Sequence, residues 1–260
     1  MLEFADTHCH LDYHEDLRPA EQVERARAEG VTLIVTVGTD LASSAEAVQT
    51  ANRHEGVWAV VGVHPNDAME ATPAVMECVE KLAVQSRVAG IGETGLDYYR
   101  KSAPVDRQQW AFRQHIALAK RLGRTLVVHC RDAWEDTLAI LEDEGAPEPT
   151  VLHCFSGDAA LAQRCAAAGY FLSFAGNVTF KNAPELREAA VAPPLEALLT
   201  ETDSPFLAPH PYRGRANEPA HVPLVARCLA EVRGLDVTEI ALATSRNARR
   251  AFGLAGSGPR

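Results

Sequence analysis

The chain has 260 residues, 47% of them hydrophobic, and a formal net charge of −10 from 25 Lys and Arg against 35 Asp and Glu. That length can bury a full core and matches one α/β barrel, while the lack of any apolar run of about 18 residues excludes a helical membrane span. The excess of acid excludes a protein that grips long duplexes through a basic face, because such binding neutralises many phosphates at once.

Glu3 and Asp6 stand where a signal peptide needs a basic end followed by apolar residues, so the expected location is the cytoplasm, without membrane association or an obligate protein partner. The six cysteines contain no C-x-x-C and read as thiols, neither a disulfide framework nor a zinc knuckle.

Eight apolar, β-branched-rich runs follow one another at residues 2–8, 32–38, 57–64, 88–93, 125–130, 150–155, 170–176 and 198–202. Between them lie segments of helical periodicity, such as 20–28 and 110–120, and Gly30, Gly123, Gly145 and Gly169 stand where helices need left-handed caps. Eight strand and helix units predict a parallel sheet closed into a (β/α)8 TIM barrel, with a doubly wound open sheet as the alternative. Residues 1–254 form the single predicted domain, and 255–260 read as a frayed tail.

The ends of these runs are polar. The first ends in His8-Cys9-His10, where strand alternation turns both imidazoles to one side and Cys9 to the other. Later runs end in His64, in Glu93 and Asp97, in His129 and Arg131, in His153, and in Glu201 and Asp203. All are carboxyl ends, the face on which barrel enzymes build active sites. Imidazole and carboxylate donors without thiolate suit zinc, manganese, cobalt or magnesium and do not choose among them. Four histidines with Glu93 and Asp203 exceed what one tetrahedral ion uses, which predicts two divalent cations about 3.5 to 4 Å apart. Such a pair activates a water and clamps the oxygens of a phosphoester.

The motifs Asp6-Thr7-His8-Cys9-His10, Gly62-Val63-His64-Pro65, Gly90-Ile91-Gly92-Glu93-Thr94-Gly95-Leu96-Asp97-Tyr98, Val128-His129-Cys130-Arg131, His153-Cys154-Phe155-Ser156-Gly157, Glu201-Thr202-Asp203-Ser204-Pro205, Arg213-Gly214 and Asn217-Glu218-Pro219 occur together. With them the chain, from Phe4 to about Phe252, resembles the TatD family of metal-dependent deoxyribonucleases, in the amidohydrolase-like barrel superfamily. The resemblance implies metal ligation by His8, His10, Glu93, His129, His153 and Asp203, with Glu93 bridging. It also implies hydrolysis of DNA phosphodiesters, as a 3′ exonuclease in several members.

The expected substrates are therefore single-stranded DNA ends, or RNA. His64 is expected to contact the phosphate or donate a proton, against a reading in which it only caps its loop. Asp203 is expected to accept a proton from the nucleophilic water. Arg131, two residues beyond His129, and Arg213, in a proline-rich loop, are expected to bind phosphate, the alternative for Arg131 being an ion pair with Glu201 or Asp132. His54, His115 and His210 read as structural or solvated. Two other functions fit the same barrel: an amidohydrolase or lactonase acting on a small ester or amide, and a noncatalytic metal-binding scaffold. Many enzymes of the former type carry a lysine carbamate at the end of strand four, where this chain has Glu93.

Overall fold

The structure is a computed structural model, described over residues 2–254, so the predicted tail at 255–260 lies outside the described residues. Eight strands run β1 (Phe4–Cys9), β2 (Val31–Val37), β3 (Val57–Val61), β4 (Val88–Asp97), β5 (Thr125–Arg131), β6 (Thr150–Leu152), β7 (Phe171–Phe174) and β8 (Leu198–Thr200). Each pairs in parallel with the next, in sequence order. The ring closes where Cys9 bridges Ser204, with Asp203 N–H donating to His8 O at 2.9 Å and His10 N–H to Ser204 O at 2.7 Å.

Helices α1 (Pro19–Ala28), α2 (Leu41–Arg53), α3 (Pro73–Ala83), α4 (Val105–Leu122), α5 (Trp134–Glu144), α6 (Ala159–Ala167), α7 (Pro184–Val191) and α8 (Val222–Arg233) each follow one strand, and α9 (Val237–Ala251) comes last. Their boundaries follow local chemistry. Asp40 opens α2 by accepting from Ser43 N–H at 2.7 Å, and Gly123 closes α4 in the left-handed conformation at φ 59°. A cap of the first kind is worth about 1 kcal/mol. All four glycines expected as caps have positive φ.

The strands are apolar without a break because both faces are buried. Within β2, Ile34 packs outward under the helices, whereas Leu33, Val35 and Val37 pack inward with Ala5, Val60, Ala89, Val127, Val151, Phe171 and Leu199. Ala248, Ala251 and Phe252 of α9 and its end join this inner cluster, and Thr125 Oγ1 donates to Ala251 O at 2.6 Å. Helix α9 therefore plugs the amino end of the barrel, leaving the carboxyl end open.

Two strands differ from the sequence reading. β4 runs on to Asp97, because Gly92 and Gly95 adopt φ of 142° and 133° and the pairing register shifts between Ile91 and Thr94. A Cβ on Gly95 would overlap His129 O, so only glycine lets the two strands come this close. β6 stops at Leu152, and His153 and Cys154 lie beyond it, with Cys154 at φ 42°.

Candidate active site

Glu93, on β4 and 2% exposed, occupies the centre of the open end. Its two oxygens face different groups. Oε2 lies 3.3 Å from His8 Nε2 and 3.8 Å from His10 Nε2. Oε1 lies 2.8 Å from His153 Nε2, 2.9 Å from His129 Nδ1 and 3.4 Å from His64 Nε2. Asp203 completes the first group, with Oδ1 at 3.6 Å from His10 Nε2 and 3.9 Å from His8 Nε2.

Backbone geometry places these side chains. Pleating sends His8 and His10 to one side, while Cys9 turns away to donate its thiol to Val35 O at 3.4 Å. Asp203 sits in left-handed backbone at φ 54°, held by its N–H to His8 O, so the last carboxylate is tied to the first strand. His64 has two contacts at once: Nδ1 accepts from Asn66 N–H at 3.0 Å as a cap, and Nε2 faces Glu93.

The far nitrogen of three imidazoles faces an acceptor. His10 Nδ1–H donates to Val37 O at 2.8 Å, His153 Nδ1 lies 3.3 Å from Glu201 Oε1, and His129 Nε2 lies 3.5 Å from Asp97 Oδ2. A carbonyl only accepts, so His10 carries its proton on Nδ1, and the carboxylates favour the same arrangement at the other two rings. On those three rings it is the nitrogen turned to the centre that would offer its lone pair to a bound cation. His8 Nε2 and His10 Nε2 approach to 3.4 Å, and His129 Nδ1 and His153 Nε2 to 3.2 Å. Ring nitrogens gathered so closely about one carboxylate suit a shared cation. Carboxylate-backed or carbonyl-backed imidazoles converging in this way suit divalent metal ions.

Three groupings, each with ligand atoms within 4.8 Å of one another, could hold a cation: His8, His10 and Asp203; His64, Glu93 and His129; and His8, His153 and Glu201.

The electrostatics agree with the donor set. Burial opposes charge on Glu93, but His153, His64 and His8, with the hydrogen bond from His129, hold its pKa well below the usual carboxylate range. Burial likewise opposes a charged His153, yet Glu93 and Glu201 push its pKa well above the usual imidazole range. Asp97 is drawn down to about 2: burial raises it, and hydrogen bonds from His129 and from Arg100 N–H outweigh that.

The cluster lies at the base of a cleft of about 1080 Å³. Arg131 and Arg213 line it, together with Arg100 and Arg215. The Arg131 guanidinium lies 3.9 Å over the Tyr99 ring, and that of Arg213 lies 3.8 Å over Phe180. Among the described residues Arg131 has no ion pair with Glu201 or Asp132, so both arginines present charge to the cleft from an aromatic support. His115 stays outside, buried between α4 and the end of β3, with Nδ1–H donating to Ala111 O at 2.7 Å and Nε2 accepting from Val63 N–H at 3.0 Å.

Two acids of the site were given no part in metal binding or catalysis by the sequence reading. Asp97 backs His129, and Glu201, fully buried, backs His153 and accepts from Cys154 N–H at 2.9 Å. A parity signal was available: Asp97 stands four residues beyond Glu93, and Glu201 two before Asp203, spacings that share one face of a strand.

A parallel eight-stranded barrel with imidazoles and carboxylates gathered at its carboxyl end is the arrangement of a metal-dependent hydrolase. The family model of TatD-related DNases matches residues 5–253. A Mycobacterium tuberculosis protein described as an uncharacterized metal-dependent hydrolase, TatD, is 46% identical over 96% of this chain and 97% of its own length. A Klebsiella pneumoniae protein described as a 3′-5′ ssDNA/RNA exonuclease, TatD, is 38% identical over 90% of this chain and 91% of its own. The crystal structure of YjjV, a TatD homolog from Escherichia coli K12, superposes with a TM-score of 0.90 at 29% identity, covering 96% of this chain and 98% of that one. The chain belongs to the TatD-related DNase family, and is a metal-dependent hydrolase acting on ester bonds. Among the described residues no helix is long and apolar enough to cross a membrane.

Proposed function

We propose that the protein is a two-metal phosphodiesterase that removes nucleotides from the 3′ ends of single-stranded DNA, or of RNA. The observation that carries this reading is the division of Glu93: one oxygen faces His8 and His10, the other His129 and His153. A carboxylate so placed suits a bridge between two cations. The exonuclease description of the 38% identical relative supports the choice of substrate.

In this reading His8, His10 and Asp203 would hold one divalent cation and His129 and His153 the other, with Glu93 serving both. Magnesium, manganese, zinc and cobalt all suit the donors. Such cations, when bound, lower the pKa of a shared water and offset charge on the phosphoryl oxygens. Asp203, whose oxygen is turned toward the first group, would accept a proton from the attacking water. His64 contacts the phosphate beside Glu93, and its Nδ1 bond to Asn66 N–H fixes the ring so that Nε2 faces the centre. Arg131 and Arg213 orient the flanking phosphate oxygens from their aromatic supports. Glu201 and Asp97 keep His153 and His129 in the tautomers that the site needs. The proposed substrate pool is cytoplasmic, in keeping with six free cysteines.

The test is an assay of purified protein with magnesium, manganese or zinc against an end-labelled single-stranded oligonucleotide and a panel of small esters and amides. Stepwise shortening from the 3′ end is the expected result. Inertness toward every nucleic acid with turnover of a small ester would transfer the site to the amidohydrolase or lactonase reading.

A further inference from the structure

The rim of the cleft carries two aromatic rings that the metal-site chemistry does not use. Tyr13, 39% exposed, and Phe206, 49% exposed, both pack against His10. The Tyr13 ring stacks on the imidazole at 5.1 Å between centroids, and Phe206 meets it edge-on at 6.1 Å. Both also line the cleft.

Neither ring is loose. Tyr13 ends the short turn Leu11–Tyr13, and its hydroxyl hydrogen-bonds Thr39 Oγ1. Phe206 N–H donates to Asp203 O at 2.9 Å, and Phe206 O accepts from the Asn217 side chain at 2.8 Å. Asn217 is fully buried and also holds Thr202 O at 2.9 Å, so the segment carrying Phe206 is fastened at both ends.

Beyond these contacts both rings remain partly exposed at the mouth of the cleft. The Phe180 ring, also in the cleft wall, is covered by Arg213, and Arg131 lies over the Tyr99 ring. Among the described residues no cation lies over Tyr13 or Phe206. The cleft thus separates its chemistry: guanidinium groups on some rings, open π-faces on others beside the His8, His10 and Asp203 group.

We infer that Tyr13 and Phe206 form a stacking subsite for the nucleobase of the terminal nucleotide. The inference rests on the phosphodiesterase reading and deepens it. Every base presents a π-face, so stacking holds a strand end without selecting its sequence, and only an unpaired base can leave its own stack to be held this way. Single-strand preference would then come from this rim, and hydrolysis from the centre below it.

The test compares binding of 5′-dAMP with that of deoxyribose 5-phosphate, in magnesium, by calorimetry. It then compares KM for oligonucleotides ending in a normal or an abasic nucleotide. Wild-type protein is expected to favour the base-bearing partner by about tenfold or more in both measurements. Tyr13→Ala and Phe206→Ala should each reduce that preference toward one, and Phe206→Trp should restore it, with thermal unfolding checking that all three variants fold. Absence of a preference in the wild type, or its survival in both alanine variants, would overturn the subsite. Cleavage of oligonucleotides with the preference unchanged in the variants would remove the subsite and leave the phosphodiesterase reading intact. Loss of the dAMP preference in the variants of a protein that cuts no oligonucleotide would keep the subsite and defeat that reading.

Discussion

Glu93 and His115 show how one residue's surroundings decide its work. Glu93 is nearly inaccessible, yet imidazoles on all sides keep it ionised. Glu93→Gln keeps the shape and removes the charge, so turnover is expected to fall more than tenfold, over about 1.4 kcal/mol of barrier, with metal content falling in parallel. A variant retaining more than a tenth of wild-type turnover and its full metal complement would end the bridging role. His115 is the opposite case: burial pushes its pKa down to about 4, and no carboxylate is there to hold a proton on the ring. Below the ordinary imidazole pKa the unfolded chain takes up a proton that the folded chain refuses. Stability at this site is therefore present above about pH 6.5 and is lost as pH falls toward 4, by at most roughly 3 kcal/mol. The stability difference between wild type and His115→Gln, from denaturant unfolding, should shrink by up to that amount between pH 7 and pH 4. A difference constant with pH would contradict the assignment. Sequence position distinguished these histidines in advance, because His8, His10, His129 and His153 close apolar runs and His115 lies within a helical one. What each ring's second nitrogen faces was only partly legible: parity puts Asp97 and Glu201 on the face of the site, but not against His129 and His153 in particular.

At the scale of elements, the seam between β1 and β8 carries the site. Asp6 Oδ1 accepts from Thr202 N–H at 2.9 Å and from His8 N–H at 3.3 Å, and its Oδ2 lies 2.6 Å from Thr202 Oγ1. Burial raises the Asp6 pKa to about 8 against those hydrogen bonds, including the one that Thr202 Oγ1 donates to Oδ2, so near neutral pH the group is largely protonated. Its folded pKa lies above its unfolded one, and the contribution to stability falls as pH rises from about 4 toward 8. An amide reproduces the neutral acid: Asp6→Asn should stay within about 1 kcal/mol of wild type at pH 7, whereas Asp6→Ala, leaving buried donors unpaired, should lose roughly 2 to 4 kcal/mol. Equal losses in the two variants, by denaturant unfolding, would show an ionised Asp6. The eight-unit barrel was legible because apolar runs and glycine caps recur in register with it. The extension of β4 was not, because Gly92 and Gly95 announce freedom without announcing a register shift. Nor was the shortness of β6, where His153 leaves the ladder and continues the apolar run only in composition.

For the molecule as a whole, an acidic surface surrounds a cleft with local positive charge. Four arginines line that cleft in a chain of net charge −10, so few phosphates can be neutralised at once. The apparent affinity for single-stranded DNA should therefore fall only shallowly with salt, with a slope corresponding to roughly two or three phosphates. Arg213→Ala should lower that slope and leave metal content unchanged, and closed circular DNA should be cut far more slowly than linear DNA. A steep slope, or rapid nicking of circles, would mean that the strand is gripped along its length. The most direct measurement for the account is anomalous diffraction from crystals of the protein soaked in manganese. Two peaks about 3.5 to 4 Å apart, one on the His8, His10 and Asp203 side of Glu93 and one on the His129 and His153 side, are the predicted result. A single peak at saturating manganese, or peaks away from Glu93, would contradict it.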